Sequence, residues 1–188
     1  YNKNYINILN KSKFHEKLNI TISEDIDFIY SNAKIDPYSF IIISLPSQKI
    51  RSTLKLLSLK NTHYIITSKG IEIESGSLIS TIIKENTLAN KDTIACLSGP
   101  SHAEELIRRI PTVMAVSSEG SEFSDIIQKA FSNEFLRIYK ASSINAMQVG
   151  GAVKNIISIA SGIAIGLGYG DNTIAALITR GIKEIIRF

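Results

Sequence analysis

Several residue types are scarce in this chain of 188 residues, which has one cysteine, Cys96, and no tryptophan. A single cysteine cannot form a disulfide within the chain, so the fold has to rest on a hydrophobic core, which this length can supply. Because Cys96 lies inside the apolar run 93–97, we expect a buried strand thiol, in a protein of the reducing cytoplasm.

The chain also lacks a large excess of either positive or negative charge. The 21 basic and 17 acidic residues leave a net charge of +4 that is spread along the chain. Nucleic-acid-binding proteins usually carry a clustered basic patch, so we expect no nucleic-acid partner, while a mild positive excess suits a small anionic substrate. The first twenty residues lack the apolar segment of a signal peptide, and no apolar run reaches the roughly 18 residues of a membrane span. We therefore expect no integral membrane segment.

Histidine is rare as well, and its three copies lack partners at metal-ligand spacing, so we expect no metal site (His15, His63 and His102).

Short apolar runs alternate with amphipathic helical patterns over the first 140 residues. The apolar runs cover 40–45, 63–67, 93–97, 112–116 and 135–139, and the helical patterns cover 48–57, 77–86, 102–109 and 124–130. This alternation predicts βαβ units, an α/β fold and a mostly parallel sheet covered on both faces. Ligands bind such sheets beyond the carboxyl ends of strands, so the segments 45–47, 68–70 and 98–101 are the expected binding loops.

The pattern changes after the fifth apolar run. From 144 to 188 the periodicity is helical, and six of the eleven glycines lie between 150 and 170. We therefore place a domain boundary near Ser142, with an α/β domain over 1–142 and the start of a helical domain over 143–188. The chain begins at Tyr1 rather than at a methionine and ends at Phe188 within a helical pattern, so we expect an internal fragment.

The segment 99–105 follows an apolar run and opens a helical pattern. Ser101 and Glu104 have the spacing of a capping box, and Gly99 would let the backbone approach a ligand closely. A helix N-terminus at the carboxyl end of a strand suits an anion. An ordinary helix cap explains the same residues, so both interpretations stay open.

The segment 150–162 reads as a helix that is apolar on most sides. Its polar residues form one narrow stripe, namely Lys154, Asn155, Ser158 and Ser161. A lysine buried in such a stripe must be paired and is suited to proton transfer. The alternative is a lysine whose head reaches water past the helix end. The preceding Gly150 and Gly151 would let another backbone or a ligand come close.

Two further segments carry weaker signals. Lys69 stands directly after an apolar run and before Gly70, where a cation either meets an anionic ligand or is simply solvated. The glycine-rich segment 166–173 follows a helix rather than a strand, which is the wrong context for a phosphate loop. We interpret it as a tight helix–helix connection in which Asp171 or Asn172 caps the next helix.

These stretches together resemble the NAD(P)-dependent glycerol-3-phosphate dehydrogenase family. The matching segments are ISLPSQ at 43–48, SKG at 68–70, LSGPSHAEE at 97–105, GGAVKN at 150–155, GLGYGDNT at 166–173 and AALITRG at 175–181. They occur in the family's order and at its spacing, and the similarity runs from about residue 25 to residue 188.

The resemblance implies that 1–142 is a partial dinucleotide-binding domain with a Rossmann-like sheet, truncated at its N-terminus, and that 143–188 is the start of an all-α substrate domain. It also implies hydride transfer between NAD or NADP and dihydroxyacetone phosphate or sn-glycerol 3-phosphate, feeding glycerophospholipid synthesis in the cytoplasm. A homodimer is a further expectation, but the oligomeric state stays open. Lys154 resembles the catalytic acid–base and a substrate contact. Lys69, Gly99 and Ser101 resemble substrate contacts, and Lys69 and Ala103 resemble cofactor contacts.

The chain also departs from the family's pattern. The glycine fingerprint for the pyrophosphate would precede Tyr1, and the family's further substrate residues would follow Phe188, so we expect the chain alone to be inactive. Gln148 stands where the family often has a glutamate. Two other interpretations stay open here: a related two-domain dehydrogenase for a hydroxyacid or sugar phosphate, and a non-catalytic fragment or interaction module.

Overall fold

The computed structural model describes residues 3–29, 40–57, 59 and 62–187. Over these residues the helices are α1 (Lys3–Ser12), α2 (Ser47–Leu57), α3 (Ile79–Asn86), α4 (Ala103–Ile107), α5 (Ser121–Phe131), α6 (Ile144–Gly166) and α7 (Asp171–Arg187). The strands are β1 (Phe14–His15), β2 (Ile20–Thr21), β3 (Phe40–Ile43), β4 (His63–Ile66), β5 (Ile94–Ser98), β6 (Thr112–Ser118) and β7 (Leu136–Lys140).

A five-stranded sheet in the order β3-β4-β5-β6-β7 forms the centre of the molecule. Neighbouring strands are parallel except for β5 and β6, which are antiparallel, with Ser98 opposite Ala115. The prediction of a mostly parallel sheet is confirmed. The antiparallel pairing arises at β6, because α4 has only five residues and the chain re-enters the sheet at the end where β5 left it.

The sheet is buried on both faces, as a mostly parallel sheet should be. Ile65 and Ile66 are both fully buried but belong to different apolar clusters, because neighbouring strand residues point to opposite faces. One cluster lies between the sheet and α2, α3 and α6, and the other lies between the sheet and α5. Cys96 belongs to the first cluster and is buried, which confirms the predicted strand thiol.

The N-terminal segment forms α1 and a small antiparallel hairpin, β1 and β2, which sequence reasoning did not predict. The hairpin is stabilised by the nearly buried Lys13, whose Nζ donates to the carbonyl oxygen of Ile26 at 2.6 Å and contacts that of Glu24 at 3.3 Å. Strands of two residues are too short to show a period in the sequence, which explains the omission.

The last two helices, α6 and α7, form a hairpin. The chain turns over 167–170, where Gly168 has a φ of 80°, and the Gly170 carbonyl accepts from Ile174. The predicted tight connection is confirmed, but Gly170 caps α7 and Asp171 is its first residue. The two helices make close contact at the buried Gly181, where an added Cβ would overlap the Ile157 side chain of α6. Arg180 and Glu184 form an ion pair on the exposed face of α7 at 2.9 Å.

Helix α6 has 23 residues and contains an 18-residue stretch with a mean hydropathy of 1.4, so by length and composition it could cross a membrane, unlike the other helices in the described ranges. The sequence pattern does not predict this, because Lys154 and two serines interrupt the apolar run. Core helices of proteins outside membranes meet the same criterion. The start of α6 packs on β5 and β6, with Ile144 and Gln148 buried, but only 11% of the apolar stretch is buried.

Candidate active site

The carboxyl ends of β3 and β4 are joined by hydrogen bonds. The carbonyl of Ile43 accepts from the backbone N–H groups of Thr67 and Ser68, each at 3.0 Å. Ser68 Oγ is within 2.6 Å of the Leu45 carbonyl oxygen, and the Ser44 and Thr67 hydroxyls bond to each other. Two of the three predicted binding loops therefore form one connected surface at the edge of the sheet.

The turn after β4 places Lys69 at this edge. Gly70 follows with a φ of 132°, a conformation that side chains rarely adopt. A Cβ on Gly70 would also lie 2.6 Å from Ser47 Oγ. Glycine is therefore required here by both backbone conformation and the close approach of α2, and it leaves the Lys69 side chain exposed at the carboxyl end of β4.

Helix α6 brings the third loop and Lys69 together. A Cβ on Gly151 would lie 3.6 Å from Lys69 Cγ and 3.8 Å from Ser98 Oγ, so α6 rests on both. The predicted close approach at the paired glycines is thus present at Gly151, whereas Gly150 has open space beside it. Lys154 starts the next turn, about 4.5 Å along the helix axis and about 60° around it from Gly151.

The polar stripe of α6 is mostly exposed. Lys154, Asn155 and Ser158 are exposed, as are the apolar Ile156 and Ile159, whereas the Ser161 hydroxyl is buried without a partner among the described residues. Lys154 lies near the middle of α6, so its exposure comes from an uncovered face of the helix rather than from a nearby helix end. Ser158 Oγ turns back to the Lys154 carbonyl at 3.4 Å, a local bond within the helix.

The segment after β5 differs from the prediction at the helix cap. Helix α4 begins at Ala103, its N-cap is His102, and no side chain caps it, so the predicted capping box is wrong. Ser101 lies one residue too early to cap and instead makes a long contact of 3.5 Å with the Gly99 carbonyl. Ala103 is exposed at the start of α4.

Gly99 has a packing role that the sequence did not reveal. A Cβ there would lie 2.9 Å from both Met114 Cα and the Val113 carbonyl oxygen on β6. The glycine is therefore required by the neighbouring antiparallel strand, which passes behind the loop. The sequence suggests that Gly99 lets the backbone approach a ligand, but β6 occupies the space beside the Gly99 Cα.

Gln148 anchors α6 to α3 in the interior. Its Oε1 accepts from the backbone N–H of Ser80 at 3.0 Å, and its Nε2 donates to Ser80 Oγ at 2.9 Å and to the Ile144 carbonyl at 3.4 Å. Both Gln148 and Ser80 are buried, with 4% and 3% of their surface exposed. The position of Gln148, two residues before the paired glycines, is the only sequence signal for this role. No local pattern predicts a partner 68 residues away.

Metal coordination finds no support in the ranges that the structure describes, where no three or more His, Cys, Asp or Glu side chains form a group that could hold an ion.

Family models identify the chain over most of its length. Residues 1–124 match the model described as NAD-dependent glycerol-3-phosphate dehydrogenase N-terminus, and residues 143–188 match the corresponding C-terminus. The chain belongs to the NAD-dependent glycerol-3-phosphate dehydrogenase family. The match to this dehydrogenase family begins at residue 1, further upstream than the resemblance at about residue 25.

Curated relatives carry the name glycerol-3-phosphate dehydrogenase [NAD(P)+]. The protein from Fusobacterium nucleatum is 42% identical over 185 residues, covering 96% of this chain and 54% of that protein. The protein from Clostridium tetani is 48% identical over 151 residues, covering 79% of this chain and 43% of that protein. The chain spans about half the length of the curated relatives that it matches.

A solved structure of the family has the same fold. The crystal structure of glycerol-3-phosphate dehydrogenase from Coxiella burnetii superimposes with a TM-score of 0.87 at 28% identity, covering 100% of this chain and 58% of that one. The Rossmann-like α/β fold followed by a helical region is therefore confirmed for the described residues. Membership of this family and the Rossmann-like fold support a nicotinamide cofactor.

Proposed function

We propose that this chain forms part of an enzyme that transfers a hydride between NAD(P)H and dihydroxyacetone phosphate, giving sn-glycerol 3-phosphate reversibly. The observation that carries the proposal is the contact of Gly151 with Lys69 and Ser98. We infer from this contact that the next turn of α6, which carries Lys154, lies beside the carboxyl ends of the sheet strands. Family membership supplies the substrate and cofactor classes.

Lys154 is the proposed acid–base residue. Reduction of a ketone places negative charge on the carbonyl oxygen, and an ammonium beside that oxygen stabilises the charge and donates the proton. A nicotinamide, when bound, supplies the hydride. In the reverse direction the same side chain accepts the hydroxyl proton. The exposed position of Lys154 at the edge of the site leaves room for a substrate beside it.

Lys69 is the proposed second cation of the site. Its stem lies against Gly151 of α6, so its charge and that of Lys154 reach the same dianionic substrate from two directions. The backbone at Gly99 and the Ser101 hydroxyl follow directly after Ser98 and complete the proposed substrate cradle. The exposed Ala103 offers a small surface for the cofactor.

Wider features of the protein are part of the same proposal. The free buried thiol of Cys96 supports a reducing compartment, and we propose the cytoplasm. Supply of sn-glycerol 3-phosphate to glycerophospholipid synthesis follows from the proposed product. A domain boundary near Ser142 fits the change from β7, which ends at Lys140, to α6, which begins at Ile144. The homodimer stays a prediction.

Replacement of Lys154 tests the proposal in the full-length protein that contains this sequence. Lys154→Met should reduce turnover of dihydroxyacetone phosphate with NADH or NADPH by about 10²-fold or more, the usual scale for losing a positioned proton donor. Lys183→Met, on the exposed surface of α7, is the matched control and should leave turnover unchanged. Turnover of Lys154→Met equal to that of the control would exclude the proposed role.

A substrate panel separates this function from the alternatives. A related dehydrogenase would prefer a hydroxyacid or another sugar phosphate over dihydroxyacetone phosphate in the same absorbance assay. A binding module would turn over none of these substrates, and Lys154→Met would then change no rate.

A further inference from the structure

The segment that follows Lys69 is attached to α2 by a side chain rather than by a strand. Gln48 Nε2 donates to the Ile71 carbonyl at 2.8 Å, and the backbone N–H of Ile73 donates to Gln48 Oε1 at 3.0 Å. The amide thus makes the pair of hydrogen bonds that a neighbouring β-strand residue would make. This fixes the backbone two and four residues after Lys69.

Arg51, one turn further along α2, holds the residue between those two. Its Nε and Nη2 donate to the Glu72 carboxylate at 2.8 to 3.0 Å, and its Nη1 donates to Glu85 on α3 at 2.7 Å. Two parallel bonds to one carboxylate fix direction as well as distance. Glu72 is buried and also accepts from Ser75 Oγ at 2.5 Å, and these partners lower the pKa of its carboxyl group, Arg51 first.

The segment also closes on itself. The Glu72 N–H donates to the Ser77 carbonyl at 3.0 Å, and the Gly76 N–H donates to the Glu72 carbonyl at 2.9 Å. At its other end, Gly70 fits closely over Ser47, the first residue of α2. Residues 70–77 are therefore a shaped loop attached to one face of α2, although most of its side chains are exposed.

We propose that Gln48 and Arg51 are positioning residues, which hold the loop 70–77 on α2 and thereby set where Lys69 places its ammonium group. The inference rests on the proposed function of Lys69 as a substrate contact. The bonds of Gln48 reach only the backbone of this loop and its neighbour Ser47, so their effect on a substrate passes through the loop. Lys69 is attached at the near end of the loop and leans on Gly151 at the far side.

The test compares Gln48→Ala and Glu72→Gln with Lys69→Ala in the full-length protein. Gln48→Ala should raise the KM for dihydroxyacetone phosphate by about tenfold, the scale of one weakened charged contact, with kcat nearly unchanged. Gln48→Glu keeps the acceptor for Ile73 but loses the donor to Ile71, so its KM should be intermediate. Lys84→Ala, which breaks the exposed pair of Lys84 and Glu119, is the control and should leave KM unchanged.

A double variant provides a measurement that a merely structural role would not change. If Gln48 acts through Lys69, Gln48→Ala combined with Lys69→Ala should have the same KM as Lys69→Ala alone. Hydrogen exchange at the Ile73 amide should rise in Gln48→Ala, which reports the release of the loop independently of activity. Multiplied KM effects in the double variant would overturn the inference.

The outcomes also separate the two proposals. An unchanged KM in Lys69→Ala would contradict the proposed function of Lys69. A raised KM in Lys69→Ala, together with an unchanged KM in Gln48→Ala whose Ile73 amide exchanges faster, would overturn the positioning role alone.

Discussion

Truncation of Gln148 is expected to be among the costliest changes of a polar residue in the described chain. Gln148→Ala removes three hydrogen bonds and leaves the Ser80 N–H buried without its acceptor. A buried donor left unsatisfied costs about 1–3 kcal/mol, and the cavity left by the shortened side chain adds to this. We therefore expect the free energy of unfolding to fall by about 2–4 kcal/mol, a large part of the roughly 5–15 kcal/mol typical of a domain.

Matched variants make that figure specific. Gln128→Ala removes a half-buried amide that donates a single bond to the Ile138 carbonyl at 2.8 Å, so we expect a loss of about 1 kcal/mol. Ser80→Ala removes only the hydroxyl and keeps the backbone bond to Gln148, so its cost should be similar. Gln148→Glu retains the acceptor for the Ser80 N–H, but it loses both donated bonds and buries a carboxylate beside the Ile144 carbonyl oxygen, so it should cost at least as much as Gln148→Ala.

Urea unfolding followed by far-ultraviolet circular dichroism measures all four variants under the same conditions. In the expected order of destabilisation, Gln148→Glu is at or above Gln148→Ala, and Ser80→Ala and Gln128→Ala follow with similar, smaller losses. Equal losses for Gln148→Ala and Gln128→Ala would refute the reasoning, because the extra bonds and the burial of Gln148 would then contribute nothing.

Three further predictions concern other parts of the fold. Gly99→Ala should destabilise by about 1–3 kcal/mol through overlap with β6, whereas Gly150→Ala, in open space within α6, should stabilise by about 0.5–1 kcal/mol; thermal unfolding distinguishes them. Burial raises the pKa of the Cys96 thiol to about 11, and the charge of Lys69 opposes this shift. The contribution of the neutral thiol to stability should therefore be intact below about pH 9 and lost as the pH rises through 11. Alkylation of Cys96 by iodoacetamide should stay slow at pH 8. Because Arg51 lowers the pKa of Glu72, their contribution should be present above the ordinary carboxyl pKa and lost as the pH falls through the lowered value, and Glu72→Gln should flatten this part of an acid titration of stability.

The sequence predicted the elements of the sheet because their signals are local. Each of β3 to β7 overlaps a short apolar run, with the central β4 and β5 buried most fully, and α2, α3 and α5 show the helical period between the runs. The reversal at β6 has no such signal, because an apolar run has the same period in either direction. The short α4 is the only sign of the reversal, and the sequence pattern predicts a longer helix, over 102–109, than the five residues observed.

The candidate site was predicted only in its outline. The three loops and Lys69 follow from the rule for the carboxyl ends of parallel strands, and the approach of Gly151 follows from the paired glycines. The bonds of Gln48 and of Gln148 could not be predicted, because each joins residues 20 or more positions apart that only the folded sheet brings together. The exposure of Lys154 depends on which face of α6 the rest of the fold covers, so no local pattern predicts it.

The separation between Gln148 and Ser80 also bears on how the chain folds. The unit from β6 through α5 to β7 closes within 30 residues, whereas the contact of α6 with α3 spans 68. Closing a longer loop costs more entropy, so the β6–α5–β7 unit should form early and α6 should dock late, after the rate-limiting barrier. A late contact changes the rate of unfolding rather than the rate of folding. The hydrogen bonds of Gln148 then slow unfolding, because they must break before α6 can separate from the folded sheet.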